Sequence, residues 1–247
     1  LYQYCPGKSS FADFDTRSPN FSKQQPGIQK QRMNTSVSSV TRVMTRIFSP
    51  AFFTVLALTA GAQVFAQGDA EAGASKITVC LACHGQDGNM SQLDNVPKIG
   101  GQNEAYLLKQ MLDIKSGVRT APLMNGMLNA LNEQDMADVA AYYASQPAPQ
   151  GAADPEKVAV GKSLYRAGNA EIGVTACTAC HSPNGQGLAS AGYPALSGQD
   201  TGYTEMQLKA FRNGVRMNDD AEVMRTIAAR LNDAEIAALA SYVSGLR

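Results

Sequence analysis

TVCLACHGQDGNM, residues 78–90, and TACTACHSPNGQG, residues 175–187, write one pattern twice. Cys80, Cys83 and His84 form a Cys-x-x-Cys-His run, and Cys177, Cys180 and His181 form it again 97 positions later. The same displacement continues past the motifs. It sets Pro97 on Pro194, Gly101-Gln102 on Gly198-Gln199, Tyr106 on Tyr203, Gln110 on Gln207 and Gly117-Val118-Arg119 on Gly214-Val215-Arg216. The second copy then holds three extra residues. At a displacement of 100, Met124 meets Met224, Leu131-Asn132 meets Leu231-Asn232 and Tyr142 meets Tyr242. Upstream of its motif the second copy carries a further nine residues, 166–174. An internal repeat of this kind governs the reading of the whole chain.

The units are residues 67–146 and 155–247. Between them, QPAPQGAADP (146–155) has the composition of a connection, so 147–154 is the linker. Tyr106, Leu107, Gln110, Met111 and Ile114 recur at helical spacing, with Gly117 placed to end that helix. Asn132 followed by acidic residues starts a second helix with Met136, Val139, Ala140 and Tyr143 on its apolar stripe. The second unit repeats both. No stretch has the alternation of a strand, so the fold class is all-α: two tandem helical domains. Gly73 opposite Tyr142, and Gly161 opposite Tyr242, predict a close crossing of the first and last helices. Each unit is small for a self-sufficient core, and a large bound group would complete it.

Cys-x-x-Cys-His is the attachment pattern of c-type haem. Each thiol adds across a porphyrin vinyl group, and the adjacent histidine becomes the proximal iron ligand. Two other chemistries use paired cysteines. One zinc ion can take all four thiolates, and each pair can form a redox site or a disulfide. Neither calls for a histidine after both pairs. The reading is therefore two covalently bound haem c groups, held by Cys80 and Cys83 in one half and by Cys177 and Cys180 in the other. His84 and His181 are the axial ligands.

The chain has only two histidines, so both are spent. A methionine is then the natural sixth ligand, and the repeat selects among them. Met124 has a methionine counterpart in Met224, whereas Met127 falls on Ile227. Met124 and Met224 are the candidate ligands, Met127 reads as packing, and Met217 is the runner-up in the second half. His/Met ligation raises the reduction potential and fills the iron, which favours electron transfer over substrate chemistry. Pro97 and Pro194 each lie thirteen residues after their histidine, where a carbonyl can take the ring's other N–H. Gln102, Gln199, Arg119, Arg216, Tyr106 and Tyr203 are candidates for bonding haem propionates, or else ordinary caps and surface pairs.

RVMTRIFSPAFFTVLALTAGAQVFAQ (42–67) has the basic start, apolar run and small-residue end of a secretory signal peptide, with cleavage expected after Ala66. Residues 33–66 are then the signal peptide and the mature protein is periplasmic. Residues 1–32 read as an upstream segment outside the mature protein. Residues 1–66 hold seven basic and two acidic residues, which leaves fourteen and nineteen, a balance of −5. That balance argues against nucleic acid as a partner. Residues 67–146 have five basic and nine acidic residues and 151–247 have nine and ten, so the halves are expected to differ in partner preference and in potential.

CLACHGQDGN, PKIGGQNEAYLLKQ, MNGML, CTACHSPNGQG and VMRTIAARL together resemble the periplasmic dihaem cytochrome c4 family, across essentially all of 67–247. The resemblance implies two class I cytochrome c domains about a pseudo-twofold axis, with His84/Met124 and His181/Met224 ligation. It implies an electron carrier rather than an enzyme. Such proteins work between respiratory donors and a haem–copper terminal oxidase, often at the membrane face, with redox proteins and no small-molecule substrate as partners. Some members carry a longer stretch where this chain has Arg119–Met124, so the first haem is expected to be more exposed or differently tuned. The rival readings are a cytochrome subunit of a periplasmic dehydrogenase, such as a flavocytochrome sulfide dehydrogenase, and a haem enzyme or gas sensor with a labile methionine.

Overall fold

Each half is organised by its first helix lying across its last. The computed structural model describes residues 67–90 and 95–247. The upstream segment, the signal peptide and its cleavage site lie outside the described residues. The first half runs α1 (Ala70–Ala74), a 3-10 turn (Ile77–Val79), α2 (Leu81–His84), α3 (Glu104–Lys115), a second 3-10 turn (Pro122–Met124) and α4 (Glu133–Ala144). The second runs α5 (Pro155–Ala167), α6 (Thr178–His181), α7 (Thr201–Arg212), α8 (Val223–Ala228) and α9 (Asp233–Ser244). Among the described residues β structure is confined to two isolated bridges, Asn169 with Val174 and Leu188 with Tyr193. The first of these closes the nine-residue insertion that follows α5.

The helix crossings need glycine. A Cβ on Gly73 would stand 2.1 Å from the Asp138 carbonyl oxygen on α4, and one on Gly161 would stand 2.2 Å from the Ala238 carbonyl oxygen on α9. Tyr142 and Tyr242 lie against the same two glycines, as the repeat implies. Both last helices open on a reciprocal cap. Asn132 accepts from Asp135 N–H while Asp135 accepts from Asn132 N–H, and Asn232 with Glu235 does the same. Two separate cores result. Ile77, Leu107, Val139, Ala140, Tyr142 and Tyr143 form the first. The second is larger and includes Leu164, Tyr165, Leu231, Ile236, Leu239 and Val243.

Helix α3 serves two masters. Leu107 and Met111 pack on the first core, whereas Tyr106, Gln110 and Asp113, at i, i+4 and i+7, meet the other half. Gln110 is buried although polar, because its oxygen accepts from Arg119, Arg216 and Asn218. The contacts cross over as a twofold relation requires. Arg119 donates to Tyr203 and Gln207, and Arg216 donates to Tyr106 and Gln110. Two buried guanidinium groups are thereby satisfied by neutral acceptors. The linker is tied to both halves: Asn89 and Lys98 donate to the carbonyls of Pro147 and Gln150, and Asp154 N–H donates to Ser241.

Candidate functional site

A single helical turn gathers the motif residues. In α2 the His84 N–H donates to the Cys80 carbonyl at 2.9 Å, and in α6 His181 bonds Cys177 at the same distance. Residues at i, i+3 and i+4 share one face of such a turn, so both thiols and the imidazole are presented together. No disulfide joins any two of the four cysteines of the described residues. Among the described residues no three His, Cys, Asp or Glu side chains converge as metal ligands. The four cysteines are therefore not assembled as one zinc site, and neither pair is a disulfide.

Both histidines are buried and both are oriented by a proline carbonyl. His84 Nδ1 lies 3.0 Å from the Pro97 oxygen, and His181 Nδ1 lies 3.0 Å from the Pro194 oxygen. The carbonyl selects the tautomer with the proton on Nδ1 and leaves Nε2 as the lone-pair nitrogen. Burial holds both rings below the usual histidine range, and the carbonyl offsets this in part. A neutral imidazole aimed by its other nitrogen is what an iron ligand needs. Burial also raises the Cys80 thiol and pushes Cys177 up to about 11.

Two tyrosines support the turns after the histidines, one of them (Tyr143) read from the sequence only as part of an apolar stripe. Tyr143 on α4 donates to the Gly85 carbonyl at 3.2 Å, and Tyr165 on α5 donates to the Ser182 carbonyl at 2.7 Å. Gly85 and Ser182 are equivalent residues, both with left-handed φ (71° and 64°). The two halves thus meet one need from different helices. Tyr143 aligns with Val243, so comparing the copies hides the shared role.

The methionine loops follow α3 and α7. Each is closed at its base by a basic side chain on a leucine carbonyl: Lys115 on Leu131, and Arg212 on Leu231. Met124 ends the Pro122–Met124 turn and Met224 lies in the first turn of α8; both are partly buried. Met127 and Met217 are largely exposed. Matched apolar side chains on the two loops also face outward, Val118 with Val215 and Leu123 with Val223. An outward-facing apolar surface duplicated in both halves, together with paired thiols and a neutral histidine in each, fits a flat, mostly apolar macrocycle attached through sulfur.

The candidates for bonding propionates have another use. Gln102 and Gln199 are spent on backbone groups of the opposite half, and Tyr106, Tyr203, Arg119 and Arg216 build the crossed network described above.

Comparison with known proteins agrees with this geometry. The cytochrome c family model matches residues 58–146 and again 158–247. The chain is similar to cytochrome c4 of Pseudomonas aeruginosa, 54% identical over 182 residues, covering 73% of this chain and 90% of that one. It is 35% identical to a protein of Stutzerimonas stutzeri named thiosulfate dehydrogenase electron acceptor, covering 75% of this chain and 86% of that one. The crystal structure of reduced recombinant cytochrome c4 from Pseudomonas stutzeri superimposes with a TM-score of 0.71 at 49% identity, covering 73% of this chain and all of that one. Two cytochrome c segments of this kind carry two covalently bound haem c groups. A duplicated motif, a duplicated histidine–proline pair and matches over both halves lead to one assignment: the chain belongs to the cytochrome c family, as a dihaem electron carrier of the cytochrome c4 type.

Proposed function

We propose that this chain works in the periplasm, exported by residues 33–66, and passes electrons from a respiratory donor to a terminal oxidase. Cys80 and Cys83 hold the first haem and Cys177 and Cys180 the second. His84 and Met124 would hold the first iron and His181 and Met224 the second, with Pro97 and Pro194 orienting the histidines. The observation that carries this reading is the identical Nδ1-to-carbonyl bond on both histidines, 3.0 Å in each half. Bound haem c supplies a one-electron couple. The chain's own residues keep each imidazole neutral and aimed, and the thioethers of Met124 and Met224 would supply the second ligand to each iron. A closed iron favours outer-sphere electron exchange with redox proteins over binding of a small substrate.

The test is exposure of the reduced, haem-loaded protein to CO. An unchanged absorption spectrum is expected, because both irons already hold two strong ligands. A shift of either haem to a CO-bound form would remove the methionine assignment for that half and bring the gas-sensor or enzyme reading forward.

A second reading has one observation in its favour. The relative from Stutzerimonas stutzeri is named for accepting electrons from thiosulfate dehydrogenase. On that reading this chain is the cytochrome partner of a periplasmic dehydrogenase. Purification of the native protein separates the two: a stoichiometric dehydrogenase that survives high salt supports a subunit, and free dihaem protein supports a carrier.

A further inference from the structure

We propose that Asp219 is a positioning residue for Met224, and that it works through an ion pair with Arg225 that exists only in the second half. This inference rests on Met224 being an axial ligand.

Four residues separate Arg119 from Met124, but seven separate Arg216 from Met224. The longer loop makes a turn that side chains resist. Ala221 (φ 51°, ψ 26°) and Glu222 (φ 58°, ψ 24°) are consecutive non-glycine residues in the left-handed region. Such a pair persists only where its surroundings hold it. Here the holding group is the Asp219 carboxylate, whose side chain is 6% exposed. One oxygen accepts from Arg225 Nε at 2.7 Å and the other from Arg225 N–H at 3.0 Å. The carboxylate therefore folds the loop back onto the residue that follows Met224 and fixes the start of α8. A charged acceptor engaging both the side chain and the backbone of one residue sets its position and its orientation together.

The upstream end of the loop is fixed as well. Asn218 Nδ2 donates to Gln110 at 2.9 Å and to Asp113 at 2.7 Å on α3, and its carbonyl accepts from Lys109 at 3.0 Å. Asp219 thus starts from an anchored point and spans to Arg225. Among the described residues the first half has no such device. Asn125 stands where Arg225 does, it is exposed, and Asp219 falls within the insertion. There the turn before Met124 opens on Pro122, whose ring fixes the backbone.

The experiment uses the full chain with both haems bound. Two signals are read: the far-red methionine-to-iron absorption of the ferric protein, and CO binding after reduction. Asp219→Asn keeps the size of the side chain and removes its charge. Arg225→Gln removes the pair from the other side, so the test survives if one variant does not accumulate. Each is expected to lose up to half of the far-red absorption and to open about half of the haem to CO. Lys157→Gln, which breaks the more exposed pair with Asp154, is expected to change neither. A full far-red band and closed irons in both Asp219→Asn and Arg225→Gln overturn the proposal. Met224→Ala, read in the same series, shows which premise fails. If it loses half the band while the clamp variants keep theirs, Met224 is the ligand and the clamp is wrong. If it keeps the whole band, Met224 is not the ligand and the clamp falls with it.

Discussion

Gln102 holds Ala195 by both of its backbone groups. The side-chain oxygen accepts from Ala195 N–H at 2.8 Å, and the side-chain NH2 donates to the Ala195 carbonyl at 2.9 Å. Gln199 treats Lys98 in the same way, with both bonds at 2.8 Å. Lys98 and Ala195 are equivalent positions, so the two bridges are images of one another. Gln102→Ala or Gln199→Ala strands one N–H and one carbonyl at the junction. Each is expected to cost about 2–6 kcal/mol, from about 1–3 kcal/mol per stranded group. Denaturant titration of the haem-loaded protein checks this. Equal costs for the two variants follow from the twofold relation, and a difference above ~1 kcal/mol between them contradicts it.

The crossings at Gly73 and Gly161 admit no side chain. Gly73→Ala would drive a methyl group into the α4 backbone, with a cost expected near 3 kcal/mol, at the upper end for overpacking. Gly161→Ala should cost a similar amount through α9. Thermal unfolding of the two variants is the measurement, and a midpoint equal to that of the parent would mean that the helices separate without penalty.

Acid should weaken the first half through Asp138. The Lys76 ammonium, the Asp69 N–H and the Gln134 amide hold the Asp138 carboxyl down at about 2. An unfolded aspartate titrates near about 3.9. The stabilisation is therefore full above that value and is lost as pH falls toward about 2. The second half has Ala238 at this position. Asp138→Asn is expected to lower the thermal midpoint near neutrality and to flatten its fall between about pH 4 and 2. An equally steep fall in the variant would show that other groups govern the acid response.

Met124→Ala and Met224→Ala should each remove about half of the far-red methionine band and lower the potential of one haem, because thioether ligation raises it. Met127→Ala and Met217→Ala should leave the band whole, since neither has a methionine counterpart in the other copy. Loss of band in Met127→Ala would exchange the assignments.

The repeat made the fold legible because duplication turns one sequence into two aligned observations. The motif helices, the Asn132 and Asn232 caps, and the Gly73 and Gly161 crossings all sit at equivalent positions, so each copy supports the other. Reading by equivalence fails where the copies solve one problem differently. Tyr143 is paired in the alignment with Val243, and its working counterpart Tyr165 sits on a helix that α1, ending at Ala74, is too short to match. Asn218 and Asp219 fall where the second copy has extra residues. Gln102 and Gln199 were visible as duplicated polar residues, but their targets are backbone groups, which carry no signature in a side-chain pattern.

That exchange of tyrosines has an evolutionary consequence. The two copies have ceased to be interchangeable parts. A recombination that replaced α9 by α4 would bring a second tyrosine toward the carbonyl of Ser182, which Tyr165 already occupies. The reverse event would put valine opposite Gly85 in a half whose first helix has no tyrosine to offer, leaving the turn after His84 unsupported. Gene conversion between the halves is thereby penalised at its first step. With the support on different helices in the two halves, exchanging segments between them would leave one turn unsupported or crowd the other.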